Sequence, residues 1–276
     1  MLTWAAGFPA AELLLEHWPP LALILVRLLL CVMCLLPLWI ALSGWAAVRQ
    51  APWGWGLFVG AMGFGWGTYL LVVAQALTDP VTVALIASAG PLAGTLIERF
   101  YGQRKLDGRF LLGVAASVLG GIVATRGLNF DGLGPGIAVA ILSVVLFSWG
   151  SHATARDFPK IGLVGRSGMT LSGACLAMAV LFLLARLIGA DVMPARGWQS
   201  ADIAPMLVYA IASLAISQYF WIASVDRLGV ALASFHLNTA PFYVMLIMLG
   251  FGAQWSWTQA AGALIVGFGV VIAQRR

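Results

Sequence analysis

The chain has 276 residues, 62% hydrophobic and only 9% charged, against about 25% charged in an average soluble domain. That leaves too little polar surface to cover a globule in water, so a soluble fold is excluded. The formal net charge of +5 does not point to nucleic acid, because the basic residues stand singly or in small groups between apolar runs, where they act as topology signals.

A bilayer core about 30 Å thick takes roughly 20 helical residues to cross. Barrel strands would alternate polar and apolar residues, whereas runs such as 81–96 are apolar on every side. The expected fold is therefore an all-α membrane protein solvated by the lipid bilayer. Hydropathy and loop punctuation predict ten spans, near 1–15, 20–43, 53–76, 80–100, 109–126, 133–154, 164–189, 203–225, 229–252 and 256–274. The first is short for a full crossing at 1.5 Å per residue. The loops after spans 2, 4, 6 and 8, together with the C-terminus, hold eleven Lys and Arg, and the opposite side holds three. The positive-inside rule then places both termini in the cytoplasm of a multi-pass inner-membrane protein.

Taken in chain order, span 1 carries Trp4 and Glu12, and span 2 carries Arg27 among apolar neighbours. Arg at mid-bilayer costs several kcal/mol unless it is paired or snorkels. Glu12 lies at a similar depth on the adjacent antiparallel helix, so a Glu12–Arg27 ion pair is expected, as a static staple or as part of an outer gate. Cys31 and Cys34 form a C-x-x-C pair with no second pair or nearby His to complete a metal site, and they read as apolar filler. In span 3, Gly56, Gly60, Gly63 and Gly67 fall in a stripe on one face at 100° per residue and are expected to let a neighbouring helix approach closely. Trp66 and Tyr69 follow at depth. Spans 4 and 9 carry Pro91 and Pro241, each expected to kink its helix and free the carbonyl four residues earlier. Around these kinks, Ser88, Asn238 and Thr239 are candidate polar substrate contacts.

Span 6 contributes Trp149 and His152, span 8 Tyr219, and span 9 His236 and Tyr243. These deep aromatics could line a cavity for a flat amphipathic molecule, or could be ordinary core. The two histidines could titrate near neutral pH or bind substrate. Trp45, Trp53, Trp55, Trp198, Trp255 and Trp257 lie at span ends and read as interfacial anchors. Asp226 precedes Arg227 at the end of span 8 and reads as half of a solvated pair with it.

The two halves of the chain resemble each other. Trp4-Ala-Ala-Gly aligns with Trp149-Gly-Ser-His, Tyr69 with Tyr219, Ser88-x-x-Pro91 with Asn238-x-x-Pro241, and Gly113 and Gly120 with Gly262 and Gly269, at offsets of 145, 150, 150 and 149. Five spans per copy is an odd number, so the second copy, 129–276, must enter the membrane inverted relative to the first, 1–128. Inverted repeats with a midplane site between them are the architecture of secondary transporters.

Three further features bear on family. Trp4-Ala-Ala-Gly-Phe-Pro9 opens the chain, Pro19-Pro20 precede Arg27 in Leu-Val-Arg-Leu, and Ser88-Ala-Gly-Pro91 precedes Glu98-Arg99. On these residues the whole chain resembles the EamA branch of the drug/metabolite transporter superfamily, and within it exporters of the YddG type. Ile97 stands where the family pattern has glycine before Glu-Arg. The resemblance implies export of aromatic and other neutral amino acids by alternating access; lipophilic cationic drugs or other metabolites are the alternative. No Gly-x-x-x-x-Gly-Lys-Ser/Thr loop occurs, so no ATPase subunit is implied within the chain. Neither His-Glu-x-x-His nor Gly-x-Ser-x-Gly occurs, so an intramembrane enzyme is a distant alternative. The expected partners are a small-molecule substrate and lipid. No cofactor, metal or catalytic residue is expected.

Overall fold

The computed structural model describes residues 1–77, 90–102, 108–124, 135–194, 196–250, 255 and 257–274. Every described element is helical. In chain order they are α1 (Leu2–Ala5), α2 (Gly7–Leu15), α3 (Pro20–Arg49), α4 (Trp53–Val59), a wide π-helical turn π1 (Gly60–Trp66) and α5 (Gly67–Leu77). Then come α6 (Gly90–Phe100), α7 (Gly108–Ala124), α8 (Pro135–Asp157), α9 (Leu163–Leu187), α10 (Ser200–Leu207), a second wide turn π2 (Val208–Ile216) and α11 (Ser217–Phe235). A 3-10 turn (His236–Thr239), α12 (Ala240–Gly250) and α13 (Trp257–Gln274) complete the chain.

Among the described residues, five helical stretches are long and apolar enough to cross a membrane: Pro20–Arg49, Trp53–Ala74, Pro135–Asp157, Leu163–Leu187 and Ser200–Phe235. The chain is thus a multi-pass membrane protein. Pro20 starts α3 at the first helical position, where its missing N–H costs nothing. Gly44 (φ 78, ψ 157) bends that helix near its end.

The structure departs from the hydropathy reading at the eighth and ninth spans. No loop separates 203–225 from 229–252; the helix runs on to Phe235, and Gly229 alone (φ 78, ψ 162) breaks its backbone angles. Glycine at positive φ turns the chain within one residue, so no polar loop is needed. The regular helix is interrupted instead at the 3-10 turn His236–Thr239, and Pro241 follows as the second residue of α12, a position that demands no backbone donor. Residues 81–89 lie outside the described residues, so the expected kink at Pro91 and the carbonyl of Ala87 do too. The Pro91 carbonyl accepts the Thr95 hydroxyl at 2.8 Å.

The elements pack in pairs. α7 lies against α13, and α3 against α9. π1 contacts α8 and α9, while π2 contacts α2 and α3. α6 contacts α8, and α12 contacts α1 and α2. The main core is built by Ile24, Leu28 and Leu35 of α3, Phe64 of π1, Leu171 and Met178 of α9, and Trp221 and Ile222 of α11.

The four glycines of the third span do not share one face. Gly56 and Gly60 meet Met169 and Thr170 of α9, whereas Gly63 meets Gly150 and Gly67 meets Phe147, both of α8. The reason is the hydrogen-bond register: a stripe drawn at 100° per residue assumes i→i+4 bonding, and π1 interposes i→i+5 bonds that swing later residues onto another neighbour.

Candidate functional site

The structure closes on a small cavity between the helices, about 40 Å³ in volume and lined by Ile24, Arg27, Leu28, Phe64, Thr68, Phe147, Leu171, Leu214 and Gln218. A water needs roughly 10–15 Å³ of such space, so the cavity admits a group of about three heavy atoms and not a whole metabolite. Two pairs of its lining residues, Phe64 with Leu214 and Thr68 with Gln218, stand 150 residues apart, the spacing that also relates Tyr69 to Tyr219. Thr68 lies just beyond π1, and Gln218 just beyond π2. Gln218 is 5% exposed, and its Nε2 finds no hydrogen-bond partner among the described residues.

Arg27 is held by backbone carbonyls. Its Nε donates to the Tyr209 carbonyl at 3.0 Å, and Nη2 to the carbonyl and hydroxyl of Ser213 at 3.3 and 3.1 Å. The guanidinium carbon lies 3.9 Å from the centre of the Tyr209 ring. Carbonyl dipoles and an aromatic face thus solvate the cation inside the protein. The side chain of Glu12 lies outside the described residues, and with it the expected ion pair.

Two polar clusters mark the ends of the bundle. At one, Asp202 is 3% exposed and lies 2.8 Å from His17 Nε2. It accepts the Trp18 indole N–H and the Gln199 backbone N–H, both at 3.1 Å. At the other, the Trp55 indole donates to Asp157 at 2.9 Å. Tyr101 lies between His152, stacked at 4.8 Å and 21°, and Arg156, whose guanidinium carbon is 4.0 Å from the ring centre. Buried Arg166 donates to Asp226 at 2.7 Å and to the carbonyls of Ala155, Pro159 and Ile161. Asp226 is therefore the partner of Arg166 on α9 and not of its neighbour Arg227, because consecutive helical residues point about 100° apart.

The other expected site residues are spread along the bundle. Trp149 meets Trp55 and Phe58 edge-on at 6.3 and 6.2 Å, toward the Asp157 end. His152 is buried there with Nε2 unpartnered among the described residues. The Trp4 carbonyl accepts the Ser213 hydroxyl at 3.2 Å, which brings α1 against π2. Tyr69 packs on the main core and meets Trp66, itself 36% exposed, edge-on at 5.8 Å. Tyr219 contacts Phe220, and Tyr243 is half-buried in α12. The His236 carbonyl accepts the Thr239 hydroxyl at 2.7 Å. Ser88 and the side chains of Asn238 and Pro241 lie outside the described residues. The cavity is lined by Arg27 and by none of the aromatic residues expected from the sequence. Its other polar residues, Thr68 and Gln218, could have been found as the immediate neighbours of the Tyr69 and Tyr219 pair.

The Asp202 cluster yields a direct expectation. Asp202→Ala strands the buried Trp18 indole N–H, and a buried donor without a partner costs about 1–3 kcal/mol, whereas the N–H of exposed Gln199 can turn to water. Thermal unfolding in detergent should drop by several degrees, whereas Glu16→Ala, an exposed neighbour, should leave it unchanged. Equal melting of the two variants would show that the cluster contributes nothing to stability.

Residues 1–126 match the model of the EamA-like transporter family. Over 259 residues, 92% of this chain and 80% of the relative, the sequence is 24% identical to the uncharacterized inner membrane transporter YedA of Escherichia coli strain K12. The same figures hold for that protein in strain O157:H7. A solved crystal structure shares the fold, with a TM-score of 0.77 at 22% identity over 99% of this chain and 95% of the other.

Proposed function

We propose that this chain, whose residues 1–126 match the EamA-like transporter family, belongs to the EamA branch of the drug/metabolite transporter superfamily and exports small metabolites, aromatic or other neutral amino acids, as a secondary transporter. In this reading ten spans form two inverted five-helix repeats, 1–128 and 129–276, with both termini in the bacterial cytoplasm.

One observation carries the reading: elements that correspond across the repeat make corresponding contacts. α3 packs on its counterpart α9, and α7 on its counterpart α13. The contacts of π1 with α8 and α9 mirror those of π2 with α2 and α3. The cavity is lined from α3, α9 and both wide turns, between elements of the two halves, which is where a repeat-built carrier holds its substrate. The polar ends support the same topology. Asp202 ties the connection after the first span to the start of the eighth. Trp55, Tyr101, Arg156 and Arg166 gather residues from connections of the opposite parity. Alternating access opens the cavity to one end at a time, and Trp4, Tyr69, Trp149, Tyr219 and Tyr243 are the aromatic contacts along the way.

The test is counterflow of labelled phenylalanine in proteoliposomes of the purified protein, with and without an imposed proton gradient. Saturable flux competed by other aromatic amino acids is expected. Flux that follows the gradient makes His152, His236 and Glu12 the first residues to substitute. Flux of lipophilic cations with none of amino acids would overturn the substrate assignment.

A further inference from the structure

The polar lining of the cavity is lopsided in a way that bears on what it recognises. Thr68 and Gln218 stand 150 residues apart, but the position 150 residues after Arg27 is Ala177, so the cation in the cavity lining has no charged counterpart at that spacing. The hydrogen bonds of Arg27 use Nε and Nη2, which fixes the plane of the guanidinium and leaves Nη1 as the nitrogen those bonds do not use. Gln218 adds a buried amide N–H donor with no partner among the described residues. A buried donor left unsatisfied costs free energy and calls for an explanation, a missing ligand among them. The remainder of the lining is apolar.

We propose that this cavity is a subsite for the carboxylate of the transported molecule, with Arg27 supplying charge and Gln218 and Thr68 supplying hydrogen bonds. The inference rests on the transporter reading and narrows it. A volume of about 40 Å³ suits a three-atom carboxylate. The arrangement is two donor groups and one hydroxyl around a space with no acidic residue in its lining. The partners of the guanidinium among the described residues are neutral, and its charge faces that space, so an anion is attracted and an organic cation repelled. Lipophilic amines without a carboxylate are therefore excluded as preferred cargo, and the rest of the substrate occupies room that the open conformations provide.

Four probes separate the possibilities in counterflow and in thermal stabilisation of the detergent-purified protein: L-phenylalanine, 3-phenylpropionate, phenylalanine methyl ester and phenethylamine. The two carboxylates should compete for flux and raise the melting temperature at concentrations roughly tenfold or more below those needed of the ester and the amine, as charge-assisted hydrogen bonds imply. Gln218→Leu should weaken both carboxylates about tenfold while leaving the amine unchanged. Gln218→Glu should invert the order, because it places an anion beside Arg27; this gain cannot be produced by a folding defect. Phenethylamine carried as well as phenylalanine by the unsubstituted protein, or an unaltered order in Gln218→Glu, would overturn the carboxylate subsite while leaving transport established. No flux and no stabilisation with any probe would remove the amino-acid reading, and this inference with it.

Discussion

Gly60→Leu is expected to abolish recovery of folded protein, and Gly60→Ala to lower its melting temperature well below that of any surface substitution. A Cβ on Gly60 would lie 1.7 Å from the Thr170 carbonyl oxygen and 2.9 Å from its Cα. Both are backbone atoms of a neighbouring helix, so no side chain can rotate away and the helix axes themselves must part. The contact is reciprocal: a Cβ on Gly173 would lie 2.1 Å from the Leu57 carbonyl oxygen. Overpacking of a well-packed contact costs about 1–3 kcal/mol, and a rigid backbone places Gly60→Ala at the upper end, with Leu beyond it. Gly54 supplies the control on the same helix, since nothing lies within 4 Å of its added Cβ. Gly54→Ala should be neutral, or stabilising by up to about 1 kcal/mol through helix propensity. Melting curves that coincide for Gly60→Ala and Gly54→Ala would refute the backbone contact.

Gly229 and Gly44 form a second matched pair. Both have φ 78, a conformation that favours glycine, so replacing either with Ala costs about 1–3 kcal/mol in backbone strain alone. They differ in surroundings. Nothing lies within 4 Å of a Cβ on Gly44, whereas one on Gly229 would come within 2.4 Å of Glu98 Oε1. That oxygen accepts the Ala231 backbone N–H at 3.0 Å and thereby caps the helical segment after the bend. Gly229→Ala must displace the carboxylate as well as strain the chain, for an added loss of about 1.5–3 kcal/mol for a charged hydrogen bond. The difference in unfolding free energy between Gly229→Ala and Gly44→Ala measures that contact, and a difference near zero would show that Glu98 shifts without cost.

These contrasts show where sequence patterns stop. The apolar runs of spans 2, 3, 6 and 7 were legible because lipid demands them, and their helices lie close to the expected limits. The 150-residue spacing of Tyr69 and Tyr219 recurs in the cavity lining, between Phe64 and Leu214 and between Thr68 and Gln218. The two π turns were not legible, since hydropathy records which residues are apolar and not which carbonyl each N–H meets. For the same reason the hydrogen bonds of Arg27 to the carbonyls of Tyr209 and Ser213, which the wide turn presents, were not legible from side-chain charges. Gln218 and Thr68 escaped notice because attention to large aromatics favours residues with much surface. A site for a small polar group is made by short side chains on a tight axis. The Arg166 and Asp226 pair joins positions 60 residues apart, and no local pattern announces it.

The wide turns also set a phase. An i→i+5 turn takes up one residue more than an i→i+4 turn, and one residue of an α-helix is worth 100° of rotation. Thr68 and Gln218 each sit just past such a turn, so the bearing of each is set by a surplus residue stored upstream and not by the ends of its helix. A helix with such slack can turn like a screw in the middle while both mouths keep their footing. With one surplus on each side, the two threads are matched.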